Sequence, residues 1–303
     1  MSGERLDVLL VARGLAPTRE RARAYVMEGR VFVDGVRASK AGQRTRDSSE
    51  IVVKPGFPEF ASRGGIKLAA ALREFGIEVK GKTVLDCGAS TGGFTDCLLR
   101  AGAARVYAVD VGYGLLAWEL RLDPRVIVLE RTNLRYLTPE TLGARVDMAT
   151  LDVSFISLTK VWPSVRSLVV PGGEVLSLVK PQFEAGRRLV GKKGVVRDPS
   201  VHYDVLVSLC DEAMKMGFAV AATCFSPITG AEGNVEFWIY MLNGSDPSRA
   251  LDRGGILVSA RSAVNGAHDA LGPDGRGRAA TEGKRLVSEN PIPGGTTDRD
   301  GNT

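Results

Sequence analysis

Two lysines and two acidic residues mark where this chain can do chemistry. Lys67 begins the helical stretch Lys67-Leu68-Ala69-Ala70-Ala71-Leu72, and Asp152 ends the apolar run Ala149-Thr150-Leu151. Lys180 ends Leu176-Ser177-Leu178-Val179, and Glu236 opens Glu236-Phe237-Trp238. In open α/β sheets, ligands sit outside the carboxyl ends of the strands, so charges at such ends face the ligand. An antiparallel last strand would begin at that same edge, which brings in Glu236. The set suits removal of a proton from an alcohol. A lysine whose pKa is lowered by desolvation and by a second lysine can take a hydroxyl proton. Lys180 is then the base, Asp152 positions it, and Glu236 holds Lys67 or a sugar. The competing reading is a structural ion-pair network.

A cofactor turn stands beside this set. Thr83-Val84-Leu85 reads as a strand running into Asp86-Cys87-Gly88-Ala89-Ser90-Thr91-Gly92-Gly93-Phe94, which opens a helix. A strand ending in a glycine turn at a helix start presents backbone N–H groups to a nucleotide. The spacing departs from G-x-G-x-x-G, because Gly88 and Gly92 are separated by three residues. That departure favours a cofactor without a pyrophosphate, and S-adenosylmethionine fits best. Asp110 ends the next strand, Val106-Tyr107-Ala108-Val109, where it can accept both ribose hydroxyls. Asn133 follows the third strand, where it can border the adenine. Cys87 lies within the turn and is not read as a nucleophile, and no aromatic base-flipping pocket is evident.

The elements that must hold these residues alternate. Strands are expected at 83–88, 105–111, 126–130, 147–153, 174–180, 219–225 and 235–242, with helices at 94–101, 114–121, 157–169 and 201–216. Such alternation predicts an α/β, Rossmann-like, mostly parallel sheet covered on both faces, with an antiparallel final pair. Residues 1–54 read as a separate α+β unit: two short helices, then Val31 to Val36 entering a hairpin at Asp34-Gly35, closed by Ile51-Val52-Val53. A linker spans 55–63 after Lys54, because the two prolines and the glycine of Pro55-Gly56-Phe57-Pro58 oppose helix there. The catalytic unit is then 64–243. Residues 244–303 carry eight positive charges, eight negative charges and eleven glycines, which predicts mostly disorder with a transient helix near Ile256 to Ala267.

Charge separates the two units. Residues 1–67 hold 13 Lys and Arg against 8 Asp and Glu, which is the whole chain's excess of five. Arg19, Arg21, Arg23 and Arg30 surround the second helix and its exit, which suits contact with phosphates. No run approaches 18 apolar residues, so no membrane span is expected, and the N-terminus lacks a signal-peptide core. The four cysteines are scattered and the chain has two histidines, so neither a metal site nor a disulfide framework is implied. A cytoplasmic enzyme is the expectation.

The first unit resembles the RNA-binding domain named after the fourth small-subunit ribosomal protein. The matching residues are Arg5-Leu6-Asp7, Gly14-Leu15, Thr18-Arg19-Glu20-Arg21-Ala22, Gly29 to Gly35 and Lys40. The resemblance implies recognition of structured RNA and adds Arg5 and Lys40 to the candidate contacts. The rest is similar to the FtsJ class of 2′-O-methyltransferases and, with the first unit, to the TlyA family of ribosomal RNA methyltransferases, historically called hemolysin A. The carrying motifs are Ser62-Arg63-Gly64-Gly65-Ile66-Lys67-Leu68, Asp86 to Phe94, Asp152-Val153-Ser154-Phe155-Ile156-Ser157, Val179-Lys180-Pro181-Gln182-Phe183-Glu184 and Gly233-Asn234-Val235-Glu236-Phe237. The resemblance implies a Lys-Asp-Lys-Glu tetrad at Lys67, Asp152, Lys180 and Glu236, with 2′-O-methylation of a cytidine in 16S rRNA, 23S rRNA or both, within ribosomal subunits.

The loop Gly191 to Pro199, basic and glycine-containing, could clamp RNA over the site. Three rivals remain. A membrane-active hemolysin would need a long apolar or amphipathic stretch. A non-catalytic assembly factor would have lost a tetrad residue. A nicotinamide dehydrogenase would carry G-x-G-x-x-G.

Overall fold

Short apolar runs broken by Gly14 and Gly29 give the N-terminal unit its small elements. In the computed structural model of the chain these are β1 (Glu4–Arg5), α1 (Leu6–Ala12), α2 (Arg19–Met27), β2 (Val31–Val33), β3 (Val36–Arg37), β4 (Arg44–Thr45) and β5 (Ile51–Val53). The structure describes residues 3–27, 29–53, 60–191, 194–244 and 248–272. Lys54, the linker residues Pro55 to Pro58, the Lys192-Lys193 pair and tail residues 273–303 lie outside these. β2 pairs with β3 and β5, both antiparallel. Asp34 and Gly35 both have positive φ (49° and 76°), the geometry of a tight hairpin turn. Leu6, Leu10, Ala22, Val26 and Val31 are buried together beneath α1 and α2.

The remaining elements are α3 (Gly64–Glu74), β6 (Thr83–Cys87), α4 (Gly93–Arg100), β7 (Arg105–Val109), α5 (Trp118–Leu122), β8 (Val126–Leu129), α6 (Pro139–Leu142), β9 (Val146–Leu151), α7 (Trp162–Leu168), β10 (Val169–Val179), α8 (Pro181–Glu184), α9 (Pro199–Lys215), β11 (Phe218–Phe225), β12 (Phe237–Asn243) and α10 (Arg253–Leu271). Seven strands form one sheet in the order β11-β12-β10-β9-β6-β7-β8. The five from β10 to β8 are parallel, and β12 is antiparallel to both β10 and β11. The final antiparallel pair therefore forms as the missing helix between those strands requires.

Each face of the sheet has its own apolar layer. Trp162, Leu206 and Ile256, from α7, α9 and α10, cover one side. Leu68, Leu98 and Leu120, from α3, α4 and α5, cover the other. Trp162 donates its indole N–H to Ser177 Oγ at 3.0 Å, so even its polar edge is satisfied within the core.

Over 253–271 the expected mostly disordered segment, with its transient helix near Ile256 to Ala267, is a longer, packed helix. α10 is a 19-residue helix, capped by Asp252 accepting from the Gly255 N–H at 2.7 Å. Ile256, Ala260, Ala263, Val264, Ala267 and Leu271 form a buried stripe at helical spacing against β11 and α9. The polar average of the segment hid that stripe. α10 also brings His268 Nε2 to 3.0 Å from Nδ1 of the buried His202 on α9.

Candidate active site

Parallel neighbours end at the same sheet edge, so the residues that follow β6, β9 and β10 meet there. Asp152 follows β9 and Lys180 follows β10. Glu236 immediately precedes β12, whose reversed direction starts it at that edge. Lys67 sits in the first turn of α3, packed beside them. The four side chains line one cavity of about 560 Å³. They are arranged as two ion pairs. Lys67 Nζ donates to Glu236 Oε2 at 2.5 Å, and both groups are buried. Lys180 Nζ lies 2.6 Å from Asp152 Oδ1 and donates to Ser154 Oγ at 2.8 Å.

The electrostatics correct one expectation. Burial alone would lower the Lys180 pKa, but Asp152 and Glu236 outweigh it and hold the ammonium above the ordinary lysine value. Burial likewise opposes ionisation of Asp152, yet Lys180 and Lys67 keep its carboxyl below the usual range. Lys180 is therefore an ammonium in the free protein. The expected repulsion by Lys67 fails because Glu236 neutralises that lysine at contact distance.

The glycine turn forms the adjoining wall. Gly88, Ala89, Ser90, Thr91, Gly93 and Phe94 all line the same cavity. Gly88 has φ +86°, and a Cβ there would stand 2.7 Å from the Asp152 carbonyl oxygen. Only glycine lets the turn approach the end of β9 so closely. A Cβ on Gly93 would meet Ser62 Oγ at 2.2 Å, so glycine there lets the starts of α4 and α3 touch. Gly92, with φ +94°, faces Leu116 and Leu120 instead of the cavity.

The three polar residues expected around the cofactor take different places. Asp110 accepts the Ser90 N–H at 2.9 Å and the Gly112 N–H at 2.7 Å, one on each carboxylate oxygen. A carboxylate has further lone pairs, so these bonds orient Asp110 without using its acceptor capacity up. Asp86 is wholly buried beneath the turn, accepting from Thr95 Oγ1 at 2.6 Å, and burial pushes its carboxyl up to about 7. Asn133 is exposed after β8 and accepts the Arg135 N–H at 3.1 Å. Neither Asp86, Asp110 nor Asn133 lines the cavity itself. Cys87 is fully buried, and burial raises its thiol well above the ordinary range, which opposes thiolate chemistry.

The structure adds residues that the sequence reading passed over. Phe155 is 91% exposed, sits at the cavity with φ +63°, and lies 5.1 Å from the Phe183 ring. A large exposed aromatic in a left-handed backbone conformation is strained and poorly hydrated. The sequence reading expected no aromatic base-flipping pocket, yet two rings stand at the cavity, and they suit stacking on an unpaired base. The sequence signal was present in Asp152-Val153-Ser154-Phe155, one turn past the strand end. Arg63 also lines the cavity, where Glu236 and Asp152 attract it. Burial, opposed by Glu236, holds its pKa below the ordinary arginine value. A cation so placed calls for an anionic ligand.

The N-terminal unit reaches the same cavity through Val26, Met27, Arg37 and Ser39, and Arg37 lies 4.0 Å from Glu232. The six expected RNA contacts lie outside the cavity. Arg5, Arg19 and Arg23 converge on Asp7, and Arg21 and Arg30 lie over Tyr25 at 5.4 and 4.0 Å from its ring centre. Lys40 is exposed near them in sequence. Of the Gly191 loop, Asn234 accepts the Val196 N–H and donates to the Gly194 carbonyl, while the buried His202 meets the Val196 carbonyl at 3.1 Å. No helix of the described residues is long and apolar enough to cross a membrane.

Known proteins carry the same combination. Residues 60–242 match the FtsJ-like methyltransferase family, and residues 4–51 match the S4 domain. The chain is 52% identical over 239 residues to YqxC of Bacillus subtilis, covering 78% of this chain and 85% of that one. It is 44% identical over 262 residues to the 16S/23S rRNA (cytidine-2′-O)-methyltransferase TlyA of Mycobacterium tuberculosis, covering 86% and 97% of the two chains. A solved structure from Streptococcus thermophilus, named for a hemolysin, superposes with a TM-score of 0.68 at 42% identity, covering 89% of this chain and 97% of that one.

Proposed function

The chain belongs to the FtsJ-like methyltransferase family, and from that premise we propose that it transfers a methyl group from S-adenosylmethionine to the ribose 2′-oxygen of a cytidine in 16S or 23S ribosomal RNA. The observation that carries this reading is the pair of ion pairs, Lys67–Glu236 and Lys180–Asp152, facing a glycine turn across one cavity.

The cofactor assignment is supported by the fit of the residues present. The Gly88 to Phe94 turn offers a cradle that a side chain would fill, and Asp110 offers an oriented acceptor for a ribose diol. S-adenosylmethionine, when bound, supplies an electrophilic methyl on its sulfonium. Phe155 and Phe183 stack on the target base, and Arg63 receives a flanking phosphate. Lys180 orients the 2′-hydroxyl and takes its proton once it has shed its own. Lys67, held by Glu236, stabilises charge developing on the attacking oxygen. Holding nucleophile and methyl in line supplies most of the acceleration. The S4 domain supplies docking to the RNA, in keeping with the basic excess of residues 1–67.

The reading is tested by incubating the protein with methyl-labelled S-adenosylmethionine and purified small and large ribosomal subunits. Label in rRNA from either subunit supports it. Cofactor binding with no label in subunits or in naked rRNA would favour the assembly-factor alternative.

A further inference from the structure

Asp7 is the one acidic residue at the centre of the arginine group on the N-terminal unit. Its side chain is 0% exposed, although it lies in the first turn of a surface helix. Arg5 grips it with two bonds, Nε to Oδ1 at 3.0 Å and Nη2 to Oδ2 at 2.9 Å. Arg19 Nη2 reaches Oδ2 at 3.3 Å, and Arg23 Nε reaches the same oxygen at 3.2 Å. The three arginine side chains remain 41%, 48% and 48% exposed. One buried carboxylate thus gathers three half-exposed guanidiniums from α1's leading edge and from successive turns of α2. The cluster keeps a net charge of two, positive, on the solvent side.

Three like charges do not hold together unaided. Without the carboxylate they would repel and spread over many rotamers, and ordering each long side chain at an interface then opposes binding. A guanidinium has five N–H donors, and none of the three spends more than two on Asp7. The remaining donors are already fixed in direction. The Arg5 bond, ahead of the burial that opposes it, holds the Asp7 carboxyl well below the usual range, so the anchor stays ionised.

We propose that Asp7 is a positioning residue for RNA docking: it pre-organises Arg5, Arg19 and Arg23 into one rigid trident for the phosphodiester backbone of folded RNA. The proposal rests on the rRNA reading above. It makes a prediction against simple electrostatics. Deleting a negative charge from an RNA-binding surface should tighten binding, whereas deleting this one should weaken it.

The experiment measures binding of the full chain to purified 16S and 23S rRNA across a salt series, for the parent, Asp7→Asn, Arg19→Gln/Arg23→Gln, and the triple variant. We expect Asp7→Asn to weaken binding about ten-fold, with the slope of log affinity against log salt falling by about one. The loss should enter KM for RNA and not kcat. In the Arg19→Gln/Arg23→Gln background, Asp7→Asn should add clearly less than ten-fold, because only its action through Arg5 remains. Unchanged or tighter binding by Asp7→Asn would overturn the proposal. So would a full ten-fold loss persisting in the double-arginine background, which would mark a general destabilisation of the domain. Failure of the parent itself to bind either rRNA with any salt dependence would instead sink the rRNA reading.

Discussion

Lys180 and Asp152 stand 2.6 Å apart because β10 and β9 run side by side and parallel, and each residue is the first after its strand. The pair is a product of topology. No local sequence rule places residues 28 positions apart in contact, yet adjacency of two parallel strands makes it unavoidable. The consequence is chemical: the group best placed to take a proton is held protonated by its own neighbour.

The pH dependence of methyl transfer should report that pair. Asp152 raises the Lys180 pKa, so the rate should rise with pH toward and beyond the ordinary lysine range. Asp152→Asn removes the attraction and should move the rising limb to lower pH while reducing the maximal rate. A limb that stays in place would remove Lys180 as the titrating group. The profile is measured under single-turnover conditions, so that RNA release does not mask the chemical step.

Glu236→Gln leaves the buried Lys67 ammonium without its counter-charge. Breaking one side of a buried pair costs about 3–5 kcal/mol. We expect a clear fall in melting temperature as well as loss of activity. A variant that melts with the parent would show that Lys67 relaxes toward solvent when released.

Phe155→Ala should separate binding from folding. The ring is 91% exposed, so its loss should change stability by less than about 0.5 kcal/mol. Base stacking is worth about 1–3 kcal/mol, so methyl transfer at subsaturating RNA should fall roughly five-fold or more. Unchanged kcat/KM for RNA would remove Phe155 from the substrate surface.

His202 gives a stability prediction of definite sign. Burial, then His268, lowers its pKa from 6.5 to about 4. Between those values the unfolded chain binds a proton that the folded chain refuses. Its contribution is therefore complete above pH 6.5 and is lost as the pH falls toward 4. Chemical denaturation at pH 7 and pH 5 should show a larger loss for the parent than for His202→Gln. Equal losses would place the acid sensitivity elsewhere.

Much of the fold was legible because periodicity reports burial. The strand boundaries of β6, β7 and β8 fall within two residues of expectation, since each is an apolar run closed by a polar turn. α10 was legible only as a transient helix near Ile256 to Ala267; its length and packing were not, because its stripe of small residues is diluted by glycine and charge over the whole tail. The tetrad positions were readable as charges at element ends. Their pairing was expected as well, Asp152 with Lys180 and Glu236 with Lys67 or a sugar; the charge state it imposes on Lys180 was not, since that depends on burial and on which acids the fold brings close. Arg63 and Phe155 escaped notice for a related reason: burial and exposure are properties of the folded chain.

The most direct test of the central claim asks which atom receives the methyl group. Ribosomal RNA labelled by the parent protein is digested with alkali, which cleaves only where a 2′-hydroxyl is free. We expect the label in an alkali-resistant dinucleotide carrying a 5′ cytidine, and no label at all with Lys180→Ala, whose cofactor affinity should stay within a few-fold of the parent. Label released as mononucleotide would place the methyl on a base and contradict the account, as would normal turnover by Lys180→Ala.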